Sequence, residues 1–237
     1  AAALEPTDPV LATYRGHGAC IAKGGDPKTM LAELLGKSTG LNKGKGGSMH
    51  FADQSIGFIG CNAIVSGHIA ISGGIALANQ LEGNTAVTVC FFGDGASCQG
   101  LFYETLNMSA LWNLPLVLIV ENNEYAISTH VSQSISVPDI SIRAQGFGLP
   151  GVTVDGRDVY AVYEAAKDAV ARARNGKGPT LIEAKTVRWS RHSAVAAGPP
   201  GKDADRWKDT DPLPRYQEEL EKGGIMTRQQ MEEVKAE

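Results

Sequence analysis

The sequence predicts an α/β protein in which a mostly parallel sheet carries helices on both faces, the doubly wound arrangement. Two continuous apolar runs, residues 86–92 and 116–120, have the composition of strands buried on both faces of a parallel sheet. Between them, residues 99–113 repeat apolar side chains at helical spacing, which returns the chain to a neighbouring strand. This order of strand, helix and strand is the basic unit of the predicted fold.

The first part of the chain contains two more predicted helices. Asp26 and Pro27 indicate the start of a helix that runs to about Leu35, because the carboxylate can cap free N–H groups and proline suits the first turn. A glycine- and lysine-rich loop follows over residues 36–47, either ordered on the surface or flexible. After it, a run of small residues predicts a tightly packed helix that ends near Gly83.

The second half repeats the alternation and then changes in composition. An amphipathic helix is predicted between two strands, at residues 152–154, 158–175 and 180–186 in the order strand, helix, strand. We therefore assign residues 1–198 to one domain. Residues 199–237 are rich in proline and charge and lead to a polar helix near Thr227. We expect them to form a helical extension that packs on the main domain or on a partner.

Composition excludes several classes of function. The net charge is −4, with 22 Lys and Arg against 26 Asp and Glu, so the chain lacks the basic surplus that binds nucleic acid or anionic lipid. Its apolar runs are too short to span a membrane. The four cysteines have no metal-binding spacing, which predicts reduced thiols. We expect a protein of the cytoplasm, or of an organelle matrix once a transit peptide is removed.

Two loops at successive strand ends have the chemistry of a diphosphate and metal site. Asp94 lies between glycines directly after the first predicted strand, where the main chain can approach a phosphate. Asn123 directly follows the next strand. Ligands of doubly wound sheets bind beyond the carboxyl ends of the strands, so we expect these two oxygen ligands to meet in a Mg²⁺ site. Either loop alone is a common turn, but the pair favours a binding site.

A hydrolase is the rival interpretation of the same loops. A Mg²⁺-dependent phosphohydrolase could use Asp94 as its nucleophile. That chemistry predicts a second acidic side chain close to the first, and residues 93–98 contain no other carboxylate.

Six stretches of the chain carry motifs that match a known family. They include Tyr-Arg-Gly-His-Gly, Gly-Asp-Gly-Ala and Glu-Asn-Asn, and they cover residues 14–18, 44–50, 93–100, 107–115, 121–129 and 154–156. Together they resemble the alpha subunits of the thiamine diphosphate-dependent 2-oxo acid dehydrogenases, which include the pyruvate, branched-chain 2-oxo acid and acetoin enzymes. The resemblance extends over nearly the whole chain. It implies a thiamine diphosphate-binding fold with thiamine diphosphate and Mg²⁺ as cofactors.

The resemblance also implies roles for individual positions. The implied cofactor-binding residues are Tyr14, Arg15, Ala63, Val65, Asp94, Gly95, Ala96, Asn123, Tyr125, Arg188 and His192. Among them, Asp94, Asn123 and the carbonyl of Tyr125 are the implied Mg²⁺ ligands. His192, in a loop that is mobile in the family, and His17 are the candidate catalytic residues, since decarboxylation needs a proton donor near neutral pH. His68 stands where the family usually has glutamine, and we assign it no role.

A second subunit is implied as well. The family's reaction requires a glutamate that acts on the cofactor's pyrimidine ring. In the two-subunit enzymes this glutamate belongs to the beta subunit, and the 39 residues of 199–237 are too few to form the domain that carries it. We therefore expect an α2β2 heterotetramer, with a lipoyl acyltransferase component as acyl acceptor. The implied reaction is oxidative decarboxylation of a 2-oxo acid; the alternatives are acetoin cleavage and a catalytically idle, cofactor-binding subunit.

The chain departs from the family pattern in two places. Arg191 replaces a glycine before His192, and residues 194–196 lack the usual serine and aspartate, which leaves the substrate open between a 2-oxo acid and acetoin. The first residues resemble the middle of the family's first domain. We therefore expect a fragment, or the ordered part, of a longer protein.

Overall fold

A computed structural model describes residues 1–188, 190–193 and 211–236. Its centre is a sheet of six parallel strands: β1 (Val10–Thr13), β2 (Phe58–Asn62), β3 (Thr88–Gly93), β4 (Leu116–Asn122), β7 (Gly151–Asp155) and β8 (Thr180–Lys185). They lie in the order β2-β1-β3-β4-β8-β7. A two-stranded antiparallel hairpin, β5 (Tyr125–Ala126) and β6 (Thr129–His130), lies outside the sheet. The predicted parallel α/β architecture is confirmed.

The helices alternate with the strands as expected. They are α1 (His17–Ala22), α2 (Pro27–Leu34), α3 (Gly67–Leu81), α4 (Gly100–Leu111), α5 (Val159–Arg174), α6 (Pro212–Lys222) and α7 (Arg228–Ala236). The Asp26 carboxylate caps α2 by accepting from two main-chain N–H groups, as its sequence predicted. None of the described helices is both long and apolar enough to cross a membrane.

Alternate residues of the central strands point to opposite faces of the sheet. In β4, Leu116, Leu118 and Val120 pack in the core formed with α3 and α4. Val117 and Ile119, between them, pack in the second core with α5. Because both faces are covered, the strand is apolar at nearly every position, and this made β3 and β4 readable from sequence.

The elements that sequence patterns missed are short or interrupted. β1 has four residues, and β2 contains a glycine at position 60 with a φ of 149°. The six-residue helix α1 also went unpredicted. Short elements offer few periods of apolar repeat, so tertiary packing rather than pattern determines them. β1 matters most, because it lies between β2 and β3, where the order of the strands reverses.

The glycine-rich loop is organised around one buried carboxylate. Glu33, only 1% exposed, accepts hydrogen bonds from the main-chain N–H groups of Asn42, Gly44, Gly46 and Gly47, at 2.7–3.0 Å. Burial alone would raise the pKa of Glu33, but these four donors lower it below its ordinary value. The loop is thus ordered by a side chain that lies in the preceding helix.

The C-terminal helix α6 packs against the end of the sheet domain. Arg215 pairs with Asp158 and, at 3.4 Å, with Asp155. The ring of Tyr216 lies 5.5 Å from that of Tyr160 in α5. These contacts hold α6 to the end of β7 and to the start of α5. The predicted boundary between residues 198 and 199 lies outside the described residues, as do residues 194–196.

Candidate functional site

A cleft of about 270 Å³ opens at the carboxyl edge of the sheet. From β1 the chain passes to β2 on one side, whereas β3 lies on the other, so the strand order reverses between β1 and β3. Crevices form at such reversals because the loops that leave the two strands diverge. The cleft is lined by nine of the predicted residues: Tyr14, Arg15, Val65, Asp94, Gly95, Ala96, Asn123, Tyr125 and His192.

The loop after β3 carries the only carboxylate of the predicted metal site. Asp94 is 3% exposed and opens a short 3₁₀ turn. A Cβ on Gly95 would lie 2.6 Å from the Cβ of Ala126, so only glycine permits this close approach of the two loops. Arg143 donates to the carbonyl of Ser97 at 2.9 Å and holds the turn from outside. Asp94 is therefore fixed in place at the cleft wall.

Burial governs the ionisation of Asp94. Loss of solvent raises the pKa of its carboxyl, and the Gly95 N–H together with the charges of Arg188 and His130 offset this only in part. A buried carboxylate that is not fully compensated favours a cation beside it. This is the electrostatic environment expected of a metal ligand.

Two neighbouring asparagines at the end of β4 have different roles. Asn122 is buried and donates to the Glu183 carboxylate at 2.7 Å, so it holds β4 to β8. Asn123 lines the cleft, and its Oδ1 accepts from the N–H of Tyr125 at 3.2 Å. The turn leads into the β5–β6 hairpin, where Glu124 has a φ of 71°. Asn123 and Tyr125 thus reach the same wall as Asp94 through one tight, strained turn.

Two arginines supply the positive charge at the cleft. Arg15 donates through Nη2 to the carbonyl of His192, and its guanidinium lies 5.3 Å from the ring centre of Tyr14. Arg188 lies 5.1 Å from the ring centre of Tyr125 and donates to the Tyr125 carbonyl at 3.4 Å, the length of a weak hydrogen bond. Guanidinium groups in this position suit the oxygens of a diphosphate.

His192 belongs to this cluster. Its ring is 6.3 Å from that of Tyr14 in an edge contact. Burial, and then the charges of Arg15 and Arg188, lower the pKa of His192 below its ordinary value. The imidazole is therefore neutral at pH 7 and can accept a proton.

Three predicted residues do not line the cleft. Arg188 borders it through its contacts with Tyr125, and Ala63 lies in the turn after β2. His17 contacts residues that do not line the cleft. Its Nε2 is 2.9 Å from the Ser48 hydroxyl, and its ring packs edge-on against Phe51, with 4.9 Å between the ring centres. These contacts tie α1 to the glycine-rich loop and place His17 outside the cleft lining.

The structure also adds two polar residues that sequence reasoning left without a role. Ser66 and His68, at the start of α3, are buried and line the cleft. The Ser66 hydroxyl and His68 Nδ1 have no hydrogen-bond partner among the described residues, and the same is true of Arg188 Nη2. Buried polar atoms without partners are rare in folded proteins. Polar residues inside an otherwise apolar helix were the available sequence signal, but they did not indicate which way the side chains face.

Residues 1–237 match the dehydrogenase E1 component family over their full length. The chain belongs to this family. It is 51% identical over 185 residues to the alpha subunit of acetoin:2,6-dichlorophenolindophenol oxidoreductase from Bacillus subtilis, which covers 78% of this chain and 56% of that protein. The corresponding subunit from Cupriavidus necator is 43% identical over 234 residues, or 98% of this chain and 70% of the relative.

Pyruvate enzymes are similar to the same degree. The E1 component alpha subunit of pyruvate dehydrogenase from Rhizobium meliloti is 47% identical over 191 residues, which covers 81% of this chain and 55% of the relative. The chain thus spans between 55% and 70% of the length of these three relatives. The resemblance inferred from sequence motifs is confirmed.

The cleft of this E1 chain fits the cofactor that the family implies, thiamine diphosphate. Two guanidinium groups and a loop of small residues suit a diphosphate. Three buried polar atoms without partners suit a ligand that brings complementary hydrogen-bonding groups. The described residues contain no group of three or more His, Cys, Asp or Glu side chains around one point. A metal at Asp94 would therefore need oxygens from amide, carbonyl and ligand groups.

Proposed function

We propose that this chain is the alpha subunit of a heteromeric, thiamine diphosphate-dependent 2-oxo acid dehydrogenase, which decarboxylates a 2-oxo acid oxidatively and passes the acyl group to a lipoyl acceptor. The observation that carries the proposal is the cleft itself. It gathers one buried carboxylate, an asparagine amide and Arg15 at the strand ends where the order of the sheet reverses, and Arg188 borders it. Family membership and the similarity to pyruvate and acetoin enzymes support the class of reaction.

Each group at the cleft has a distinct task in this proposal. Arg15 and Arg188 bind the diphosphate, and the loop of Gly95 and Ala96 lets phosphate oxygens approach the main chain. Asp94, Asn123 and the Tyr125 carbonyl bind Mg²⁺. Because Asp94 is the one charged group among these three residues, oxygens of the diphosphate would be needed to complete the coordination. Metal and cofactor are therefore expected to bind cooperatively.

His192 is proposed to handle protons beside the reacting carbon. When bound, thiamine diphosphate supplies the carbon nucleophile that attacks the substrate's carbonyl group. The neutral His192 imidazole can take a proton or, once charged, return it, and Arg15 positions its backbone by the bond to the His192 carbonyl. The neighbouring Tyr14 ring restricts the orientation of the histidine.

Acetoin is the second candidate substrate. Two of the similar proteins are subunits of acetoin oxidoreductases, one of them 51% identical. In either case we propose a beta subunit as the partner in an α2β2 assembly, with a lipoyl acyltransferase as the component that receives the acyl group.

Replacement of Asp94 tests the cofactor site. In Asp94→Asn, we expect the Kd for thiamine diphosphate in the presence of Mg²⁺ to rise on the order of 100-fold, equivalent to about 2.7 kcal/mol, because the diphosphate charge loses its metal. Calorimetry on the assembled complex measures this. Asp168→Asn, which neutralises an exposed carboxylate on α5, is the matched control and should bind as the unaltered chain does. Unchanged affinity in Asp94→Asn would contradict the metal assignment.

Reconstitution tests the need for a partner. The purified chain, saturated with thiamine diphosphate and Mg²⁺, should not reduce dye with pyruvate, branched 2-oxo acids or acetoin. Turnover should appear when the beta subunit is added, since that subunit brings the activating carboxylate and closes the cleft against water. Comparable turnover by the isolated chain would show that the two-subunit proposal is wrong. A pair that binds cofactor tightly and turns over no substrate would favour an idle subunit.

A further inference from the structure

His68 differs from the other histidines of the chain in its surroundings. It is the second residue of α3, is 2% exposed, and borders the cleft. Its Nε2 lies 2.9 Å from the carbonyl oxygen of Phe91 in β3. A carbonyl oxygen only accepts hydrogen bonds, so Nε2 carries the hydrogen. In a neutral ring Nδ1 then has a free lone pair and no hydrogen.

The ring is neutral at pH 7. Burial lowers the pKa of His68, and the hydrogen bond to the Phe91 carbonyl offsets this only in part. Nδ1 is therefore a hydrogen-bond acceptor, and it has no partner among the described residues. An acceptor left in this state costs free energy that a ligand with a suitable donor would recover.

Ser66, two residues earlier, is in the same condition. It is fully buried, lines the cleft, and its hydroxyl has no partner among the described residues. Its φ of 71° is strained for a residue with a side chain, yet the chain holds serine there. Two buried polar groups without partners on one wall of the cleft indicate that a ligand group contacts this wall.

The chemistry of this wall differs from that of the diphosphate wall. A neutral acceptor such as Nδ1 repels the oxygens of a phosphate or carboxylate and attracts an N–H or O–H donor. The anionic part of any ligand belongs with Arg15 and Arg188. The group that meets His68 is therefore uncharged and carries a hydrogen to donate.

We propose that His68 is a ligand-positioning residue whose Nδ1 accepts a hydrogen bond from an uncharged donor group of the molecule bound in the cleft, with the Ser66 hydroxyl beside it. This inference rests on the proposed function, which offers two sources of such a donor. One is the amino group of the cofactor's pyrimidine. The other is the hydroxyl of a hydroxy ketone such as acetoin, which a 2-oxo acid lacks.

Two substitutions separate recognition from a structural role. In His68→Leu, the side chain has no polar atom, so the bond to the Phe91 carbonyl and the acceptor at the place of Nδ1 are both lost. In His68→Asn, the shorter amide can put an oxygen at the place of Nδ1 but loses the bond to Phe91. Recognition predicts that the Leu variant loses function and the Asn variant retains more of it. A structural role of the bond to Phe91 predicts that the two variants are impaired alike.

Both variants are measured in the assembled complex, after circular dichroism and thermal unfolding show that they are folded. If the donor is on the cofactor, the Kd of thiamine diphosphate with Mg²⁺ should rise about tenfold in His68→Leu, the usual effect of losing one hydrogen bond to a buried group. If the donor is the substrate's hydroxyl, that Kd stays constant. The ratio of kcat/KM for acetoin to kcat/KM for pyruvate then falls about tenfold. Either result supports the proposal and identifies the source.

Two results would overturn it. One is a His68→Leu variant that matches the unaltered complex in cofactor Kd and in the substrate ratio. The other is a His68→Asn variant that is as impaired as His68→Leu, or more so. Failure of the proposed function is a separate observation, because in that case the unaltered complex itself does not bind thiamine diphosphate.

Discussion

Glu33 and Asp94 are both carboxylates that the fold removes from solvent, at 1% and 3% exposure, yet their pKa values shift in opposite directions. Glu33 accepts four main-chain N–H bonds, which outweigh the effect of burial. Asp94 has too few donors to do so. The first carboxylate is satisfied by the protein and serves the structure. The second is left with an electrostatic deficit that a cation can relieve, which is what a binding residue requires.

Substitution of Glu33 should have the largest effect on stability. Glu33→Gln removes the charge and half of the acceptor capacity that hold four N–H groups of the loop. We expect the free energy of unfolding to fall by about 3 kcal/mol, because hydrogen bonds to a charged group are worth about 1.5–3 kcal/mol each and some will re-form. Urea unfolding measures it. A loss below about 0.5 kcal/mol would contradict the conclusion that Glu33 organises the loop.

Low pH should change the contributions of the two carboxylates to stability in opposite directions. The folded pKa of Glu33 is depressed, so its contribution to stability is present above the unfolded pKa of about 4.3 and is lost as pH falls through the folded value. The gap in stability between the unaltered chain and Glu33→Gln should therefore narrow below about pH 4. For Asp94 the sign is reversed: its folded pKa is raised, so it binds its proton more readily when folded, and acid removes its cost. Unfolding curves at pH 7, 5, 4 and 3 test both, because the change expected for Glu33 lies below about pH 4. A gap that widens in acid for Glu33→Gln would contradict the comparison.

Substitution of Asp94 should have the smallest effect on stability, with the opposite sign. Without cofactor, Asp94→Asn removes an uncompensated buried charge, and we expect the protein to become more stable by roughly 1 kcal/mol. The same change weakens cofactor binding, so stability and function move in opposite directions. Thermal unfolding of the cofactor-free chain measures it against Asp168→Asn. A clear loss of stability would show that Asp94 serves the structure as Glu33 does.

Regular alternation determined much of this fold from sequence alone. β3 and β4 are apolar at most positions, β8 is buried along most of its length, and the helices between them repeat at 3.6 residues, which together favour one element for each segment. The loops after β3 and β4 were identifiable because aspartate, asparagine and glycine residues directly follow the predicted ends of these strands. Parallel strands bring such ends to one edge of the sheet, and Asp94 and Asn123 do line one cleft.

Only the tertiary structure decided the rest. The placement of β1 between β2 and β3 creates the reversal at which the cleft opens, and four residues carry too little pattern to reveal it. The donors that satisfy Glu33 lie further along the chain, and His68 Nδ1 has no donor among the residues that the structure describes. A sequence shows which polar groups exist, whereas the tertiary structure determines which of them have hydrogen-bond partners. For that reason the residue types at this site were readable in the sequence, and their electrostatic states were not.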